Sequence, residues 1–173
     1  MSKKKNKEIL ESILRENLLG YTKDAIVSKM LEQEVAGQRI FYVWLKQHGY
    51  SIDPESMDKN QSDGIVGNTI IECKLDENEG GGCSKAYQEL YDIIPKRLKQ
   101  KGEKIPFYRI YIELKTFLVE VYDCHCKLKA TFDWYERPDL FKQFFDDTQE
   151  TYEYDLLDLS LIHISEPTRQ AEI

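Results

Sequence analysis

The stretch Ser62–Lys74, SDGIVGNTIIECK, constrains the fold of this chain more than any other. Two short apolar runs flank Gly67-Asn68, a dipeptide suited to a two-residue hairpin turn. That turn pairs Val66 with Thr69, Ile65 with Ile70, Gly64 with Ile71 and Asp63 with Glu72. Side chains alternate across a strand, so Glu72 and Lys74 share one face while Ile71 and Cys73 enter a hydrophobic layer on the other. Asp63 and Glu72 then face each other with Cβ atoms about 4.5–5.5 Å apart, which destabilises the pair unless something lies between them. A divalent cation suits the gap, because magnesium takes hard oxygen ligands at about 2.0–2.1 Å. A lysine on the same face can orient a water or help to deprotonate it. Such a cation stabilises charge on a phosphate under in-line attack.

The remaining elements can be read around this hairpin. Ile9, Leu10, Ile13, Leu14 and Leu18 recur at helical spacing, and Gly20-Tyr21 stops that helix, making residues 1–21 an N-terminal helical extension. Thr22 is a good N-cap for a long helix reaching about His48, with Val27, Leu31, Phe41 and Leu45 as its apolar stripe. Glu34 and Gln38 fall on the same stripe and turn two polar side chains toward the core. Gly49-Tyr50 ends this helix. After the hairpin, Asp76–Gly82 is a flexible acidic loop, and Ser84 or Lys85 opens a helix to about Lys101 with Tyr87, Leu90, Tyr91, Ile94 and Leu98 inward. FYRIYIEL and TFLVEVYD are two further strands, and RPDLFKQFFDD is a short terminal helix. The expected order is ααββαββα, an α/β fold with a mixed central sheet flanked by helices over 22–145.

Residues 146–158 are an acidic exit segment or linker. Residues 159–173, LSLIHISEPTRQAEI, resemble a translated sequencing-library adapter, codon for codon from Leu159 through Arg169. They are set aside as a non-native tail, together with His163. The reading frame is then expected to continue natively past Asp158. Over the full 173 residues the chain is 41% hydrophobic and 32% charged, ordinary for one globular domain with its own core. No apolar run has the length of a membrane span and no signal-peptide pattern opens the chain, so a cytoplasmic protein without a membrane partner is expected. The four cysteines, Cys73, Cys83, Cys124 and Cys126, fit reduced thiols. Cys124-His125-Cys126 is spaced too tightly for an ordinary zinc hook.

The pattern Asp63-x8-Glu72-x-Lys74 resembles the PD-(D/E)xK nuclease superfamily. Glu34 matches that family's helical glutamate, and Gln88-Glu-Leu-Tyr91 resembles the Gln-x-x-Tyr motif of its recombination and restriction branches. YIELKTFLVEVYD is similar to the strand pair in N-terminal nuclease domains of restriction enzymes, of the type I motor-subunit or fused restriction–methylation kind. The likeness covers roughly residues 22–145. Ser62 departs from it, standing where proline often precedes the aspartate. The resemblance implies a restriction-endonuclease-like core and magnesium-dependent hydrolysis of DNA phosphodiester bonds, with manganese as a substitute. It implies Asp63, Glu72 and Glu34 as metal ligands, Lys74 and Gln88 as further catalytic residues, and a motor or methyltransferase domain beyond Asp158.

A net charge of −7 runs against a nucleic-acid partner, which prefers a basic face. The acids concentrate in Asp76–Glu79 and Asp146–Asp158, while Lys96, Arg97, Lys99, Lys101 and Lys104 cluster at one helix end and Lys3–Lys5 at the start. That basic cluster reads equally as a solvated face. The competing expectation is a module of the same fold that binds nucleic acid or positions a partner domain without catalysis. The presence of Asp63, Glu72 and Lys74 together argues against it, since a decayed site usually loses one of its residues.

Overall fold

A computed structural model describes residues 3–54, 64–76 and 82–146. Asp63, the linker beyond residue 146 and the adapter-like tail lie outside the described residues. The chain folds as a five-stranded mixed sheet, order β1-β2-β3-β4-β5, with helices on both faces. The strands are β1 (Gly64–Val66), β2 (Thr69–Lys74), β3 (Tyr108–Glu113), β4 (Leu118–Asp123) and β5 (Leu128–Asp133). β2 and β3 run parallel, and the other neighbours are antiparallel.

The hairpin has the expected register through Val66–Thr69, Ile65–Ile70 and Gly64–Ile71. Gly67 takes φ +55°, a backbone that other residues rarely adopt. Asn68 is buried and ties the turn to β3: its side-chain oxygen accepts the Phe107 N–H at 2.9 Å and its carbonyl the Tyr108 N–H at 3.0 Å.

Helix α1 (Lys3–Leu14) packs on α3 (Glu34–Gln47), and Ile13 and Leu18 join the same core as α3. Thr22 caps α2 (Lys23–Lys29), its hydroxyl accepting the Ala25 N–H at 3.2 Å. The single helix expected from Thr22 to His48 is instead broken, because Leu31 and Glu32 adopt φ 53° and 54°. One straight helix of that length would run about 40 Å at 1.5 Å per residue, well past the six-residue strands beneath it. The break folds α2 back so that Ile26 and Met30 reach the core around Ile40, and Leu31 leaves the expected stripe to stand exposed. α3 then lies close on the sheet: a Cβ at Gly37 would sit 2.8 Å from Leu114 Cδ1.

The other face is covered by α4 (Gly82–Gln88), a π-helical turn (Glu89–Ile93) and α5 (Ile94–Gln100). Ile70, Tyr111, Ala86, Leu90, Ile94 and Leu98 form that second apolar layer. β5 was not expected. Its Lys129 and Thr131 are exposed and its Ala130 and Phe132 only partly buried, so it carries the weak pattern of an edge strand protected by lysine. The observed order is therefore α1-α2-α3-β1-β2-α4-α5-β3-β4-β5 and a closing α6 (Lys142–Phe145), rather than ααββαββα.

Candidate functional site

Alternation along β2 divides its side chains as the hairpin required. Ile71 and Cys73 enter the core beneath α3, while Ile70, Glu72 and Lys74 face the layer under α4 and α5. Glu72 and Lys74 are 6% and 8% exposed, so two charged groups of a central strand are largely withdrawn from water. The parallel register sets Glu72 beside Tyr111 and Lys74 beside Glu113, with both strands ending together. Crevices at the carboxyl ends of parallel strands are the usual ligand positions of open α/β sheets.

Glu34 reaches this place from the first turn of α3, where the helix dipole favours an acid. Its carboxylate lies 3.5 Å from Lys74 Nζ, and the Glu72 carboxylate lies 3.8 Å from the same nitrogen. Both separations exceed those of a tight charge-assisted hydrogen bond, about 2.7–2.9 Å. Burial therefore dominates Glu72: it pushes the carboxyl up to about 8, Lys74 and Lys85 oppose that rise, and Glu89 and Glu34 add to it. On β3, Glu113 is buried and accepts hydrogen bonds from Tyr111 Oη at 2.6 Å and Thr116 Oγ1 at 2.8 Å.

Glu34, Glu72 and Lys74 thus come together, from a helix and a strand far apart in the chain. Asp63 lies outside the described residues, one position beyond the last described hairpin pair, Gly64–Ile71. Gln88 is exposed at the end of α4. Tyr91, its companion in the Gln-x-x-Tyr pattern, is a packing residue: its hydroxyl donates to the Asp123 carbonyl at 2.5 Å and its ring lies 5.5 Å from the Arg109 guanidinium. Glu89 and Glu113 were not singled out by sequence. Alternation in YIEL could have placed Glu113 on the face of Glu72, whereas Glu89 depends on a helix irregularity. Among the described residues, no three His, Cys, Asp or Glu side chains are arranged to hold a metal ion. Cys73 is buried and Cys126 exposed, and neither is in a disulfide.

The chain matches no protein-family model, no curated protein and no solved structure.

The donor chemistry nevertheless fits a hard divalent cation. Glu34 and Glu72 offer carboxylate oxygens around Lys74, and Glu89 Oε2, on the π-helical turn that packs on β2, is buried without a hydrogen-bond partner. Oxygen-only sites of this kind suit magnesium or manganese rather than zinc. Among the described residues no helix is long and apolar enough to cross a membrane.

Proposed function

We propose that this chain is a magnesium-dependent nuclease domain with a restriction-endonuclease-like core that hydrolyses DNA phosphodiester bonds. The observation that carries this reading is the buried Glu72–Lys74 pair, two residues apart on one face of a central strand, with Glu34 brought to 3.5 Å from the same lysine. Charges at such positions cost stability without a compensating partner, so a role in chemistry is the economical account of them.

Asp63 and Glu72 would hold the cation, with Glu34 beside them, and manganese would substitute for magnesium. When bound, the cation stabilises negative charge on the phosphate during in-line attack. Lys74, held between Glu34 and Glu72, donates a hydrogen bond that orients the attacking water. Gln88 would act at the rim, where an exposed amide meets a substrate that arrives from solvent. The domain belongs, in this reading, to a larger cytoplasmic restriction or genome-defence enzyme with a motor or methyltransferase domain following it.

Incubation of supercoiled and linear duplex DNA with magnesium or manganese tests the reading directly. Asp63→Ala, Glu72→Ala and Lys74→Ala are each expected to abolish cutting. The two acid variants should also lose metal binding, whereas Lys74→Ala should keep it. Equal cutting by wild type and all three variants would reject the site. Metal-independent DNA binding without cutting would favour the non-catalytic module of the same fold.

A further inference from the structure

Charge is divided unevenly between the two ends of the central strands. At the carboxyl ends of β2 and β3 stand Glu72 and Glu113, and Glu34 and Glu32 reach the same end from α3 and the residues before it. Lys74 and Lys115 are both within ion-pair distance of these acids. The amino end of β3 has the opposite character. Because β2 and β3 are parallel, the crossover through α4 and α5 must carry the chain back to that end. It places Lys99, Lys101 and Lys104 there, on the last turn of α5 and in the loop before β3.

β4 runs antiparallel to β3 and finishes at the same end, with Asp123 opposite Tyr108. The turn after it is held in place, since the Asp123 N–H donates to the Lys127 carbonyl at 2.9 Å and the Lys127 N–H to Asp123 Oδ1 at 3.0 Å. Lys127 and Lys129 therefore share one end of the sheet with Lys101 and Lys104, although β3 and β4 separate them in the chain. All five lysines are exposed, and among the described residues none of them forms an ion pair. Lysines at a helix end complement its dipole, but Lys104, Lys127 and Lys129 lie outside the helix. Glu103 is an exposed acid in the same loop, while Asp123 is buried with Oδ1 committed to the N–H groups of His125 and Lys127. Leu128 is exposed between two of the lysines, and a lone apolar side chain gives little anchorage in lipid.

The six residues of β3 separate the two ends by about 17 Å at 3.3 Å per step. That is about twice the screening length at physiological salt, so each end acts on its own surroundings. A net charge of −7 thus coexists with a surface that attracts polyanions.

We propose that the basic end formed by Lys99, Lys101, Lys104, Lys127 and Lys129 is a docking surface for the phosphate backbone of duplex DNA, separate from the candidate site. This rests on DNA as the partner in the reading above and adds the source of affinity that the acidic end lacks. A span of about 17 Å corresponds to about five base pairs at 3.4 Å each, so one duplex reaches both ends.

Fluorescence anisotropy of a labelled duplex, titrated in chelator over a range of salt concentrations, tests the assignment without a cation. The proteins are wild type, a triple variant (Lys99→Gln, Lys101→Gln, Lys104→Gln), a double variant (Lys127→Gln, Lys129→Gln) and a control (Lys4→Gln, Lys5→Gln, Lys7→Gln). The control removes as much charge as the triple variant, but from α1 on the other face of the sheet. Each lysine that neutralises a phosphate adds about 0.9 to the slope of log affinity against log salt. The slope should flatten by about 2–3 in the triple variant and about 2 in the double variant, with weaker binding in both. The control should bind as wild type does. Wild-type slopes in both the triple and the double variant would overturn the surface. A control that weakens as much as the triple variant would show net charge alone at work and also overturn it. Wild type that binds phosphatidylserine vesicles but no duplex would assign this end to a membrane instead. The expected slopes without cutting in magnesium would uphold the docking surface and reject the nuclease reading.

Discussion

Glu72 sits between Ile71 and Cys73 in a strand whose every residue is buried, and its chemistry follows from that position. Burial pushes its carboxyl from an ordinary 4.5 up to about 8, with Lys74 only partly offsetting the rise. Between those values the folded chain keeps a proton that the unfolded chain releases, so stability falls as pH rises from about 5 to about 8 and levels off above that. Glu72→Gln has no such proton to release. Urea denaturation of both proteins in chelator should therefore show wild type losing ground to Glu72→Gln across that window, on the order of 2–4 kcal/mol in total. Parallel pH profiles would show that Glu72 is not withdrawn from water. A saturating divalent cation should abolish the difference in slope, because a metal-bound carboxylate no longer carries the proton.

At the scale of elements, the hairpin and the interrupted helix each owe their geometry to a few residues. Gly67 holds φ +55°, and a Cβ there would fall 1.9 Å from the carbonyl oxygen of Phe145, which belongs to α6. Gly67→Ala combines left-handed backbone strain with a clash against backbone. It should cost about 2–4 kcal/mol in chemical denaturation, near the upper range for a point substitution. Thr69 makes the same junction from the neighbouring residue, its hydroxyl donating to the Phe144 carbonyl. The C-terminal helix thus braces the turn that sets the register of Glu72. A loss below about 0.5 kcal/mol would mean that α6 does not dock on the turn. In the π-helical turn, Arg109 plays the corresponding part by bonding the carbonyls of Leu90 and Pro106 from within the sheet.

For the whole molecule, the site lies where β2 and β3 end and where α3 begins, so three separately formed elements must dock before it exists. A cation that binds only this docked form stabilises the fold by mass action, about 2.7 kcal/mol at a hundredfold excess over Kd. For a domain of this size the melting temperature should rise by roughly 5–10 °C. Asp63→Asn should melt above wild type in chelator and respond less to manganese, since it removes the acid expected opposite Glu72. Asp63→Asn melting no higher than wild type in chelator would show that the two carboxylates are not in repulsive contact.

Local patterns determined much of this protein. The dipeptide Gly67-Asn68 and the alternation after it settled the hairpin register and the face shared by Glu72 and Lys74, because strand pairing next to a two-residue turn leaves little freedom. Thr22 as a cap and Gly49 as a stop were equally local, each decided by its own backbone chemistry. The break at Leu31 and Glu32 was not legible, since neither residue type favours a left-handed backbone and the gain comes from docking Met30 into a distant core. β5 was missed because an edge strand with one solvated face needs a neighbour to pair with before its pattern means anything. Glu89 shows the same limit most sharply. Resemblance to a family motif placed attention on Gln88, and only packing on β2, with Pro95 withholding a donor and Arg109 replacing it, buries an oxygen of the adjacent carboxylate. Neighbours along the chain govern turns, caps and alternation, whereas a buried charge acquires its character from groups that the fold alone brings beside it.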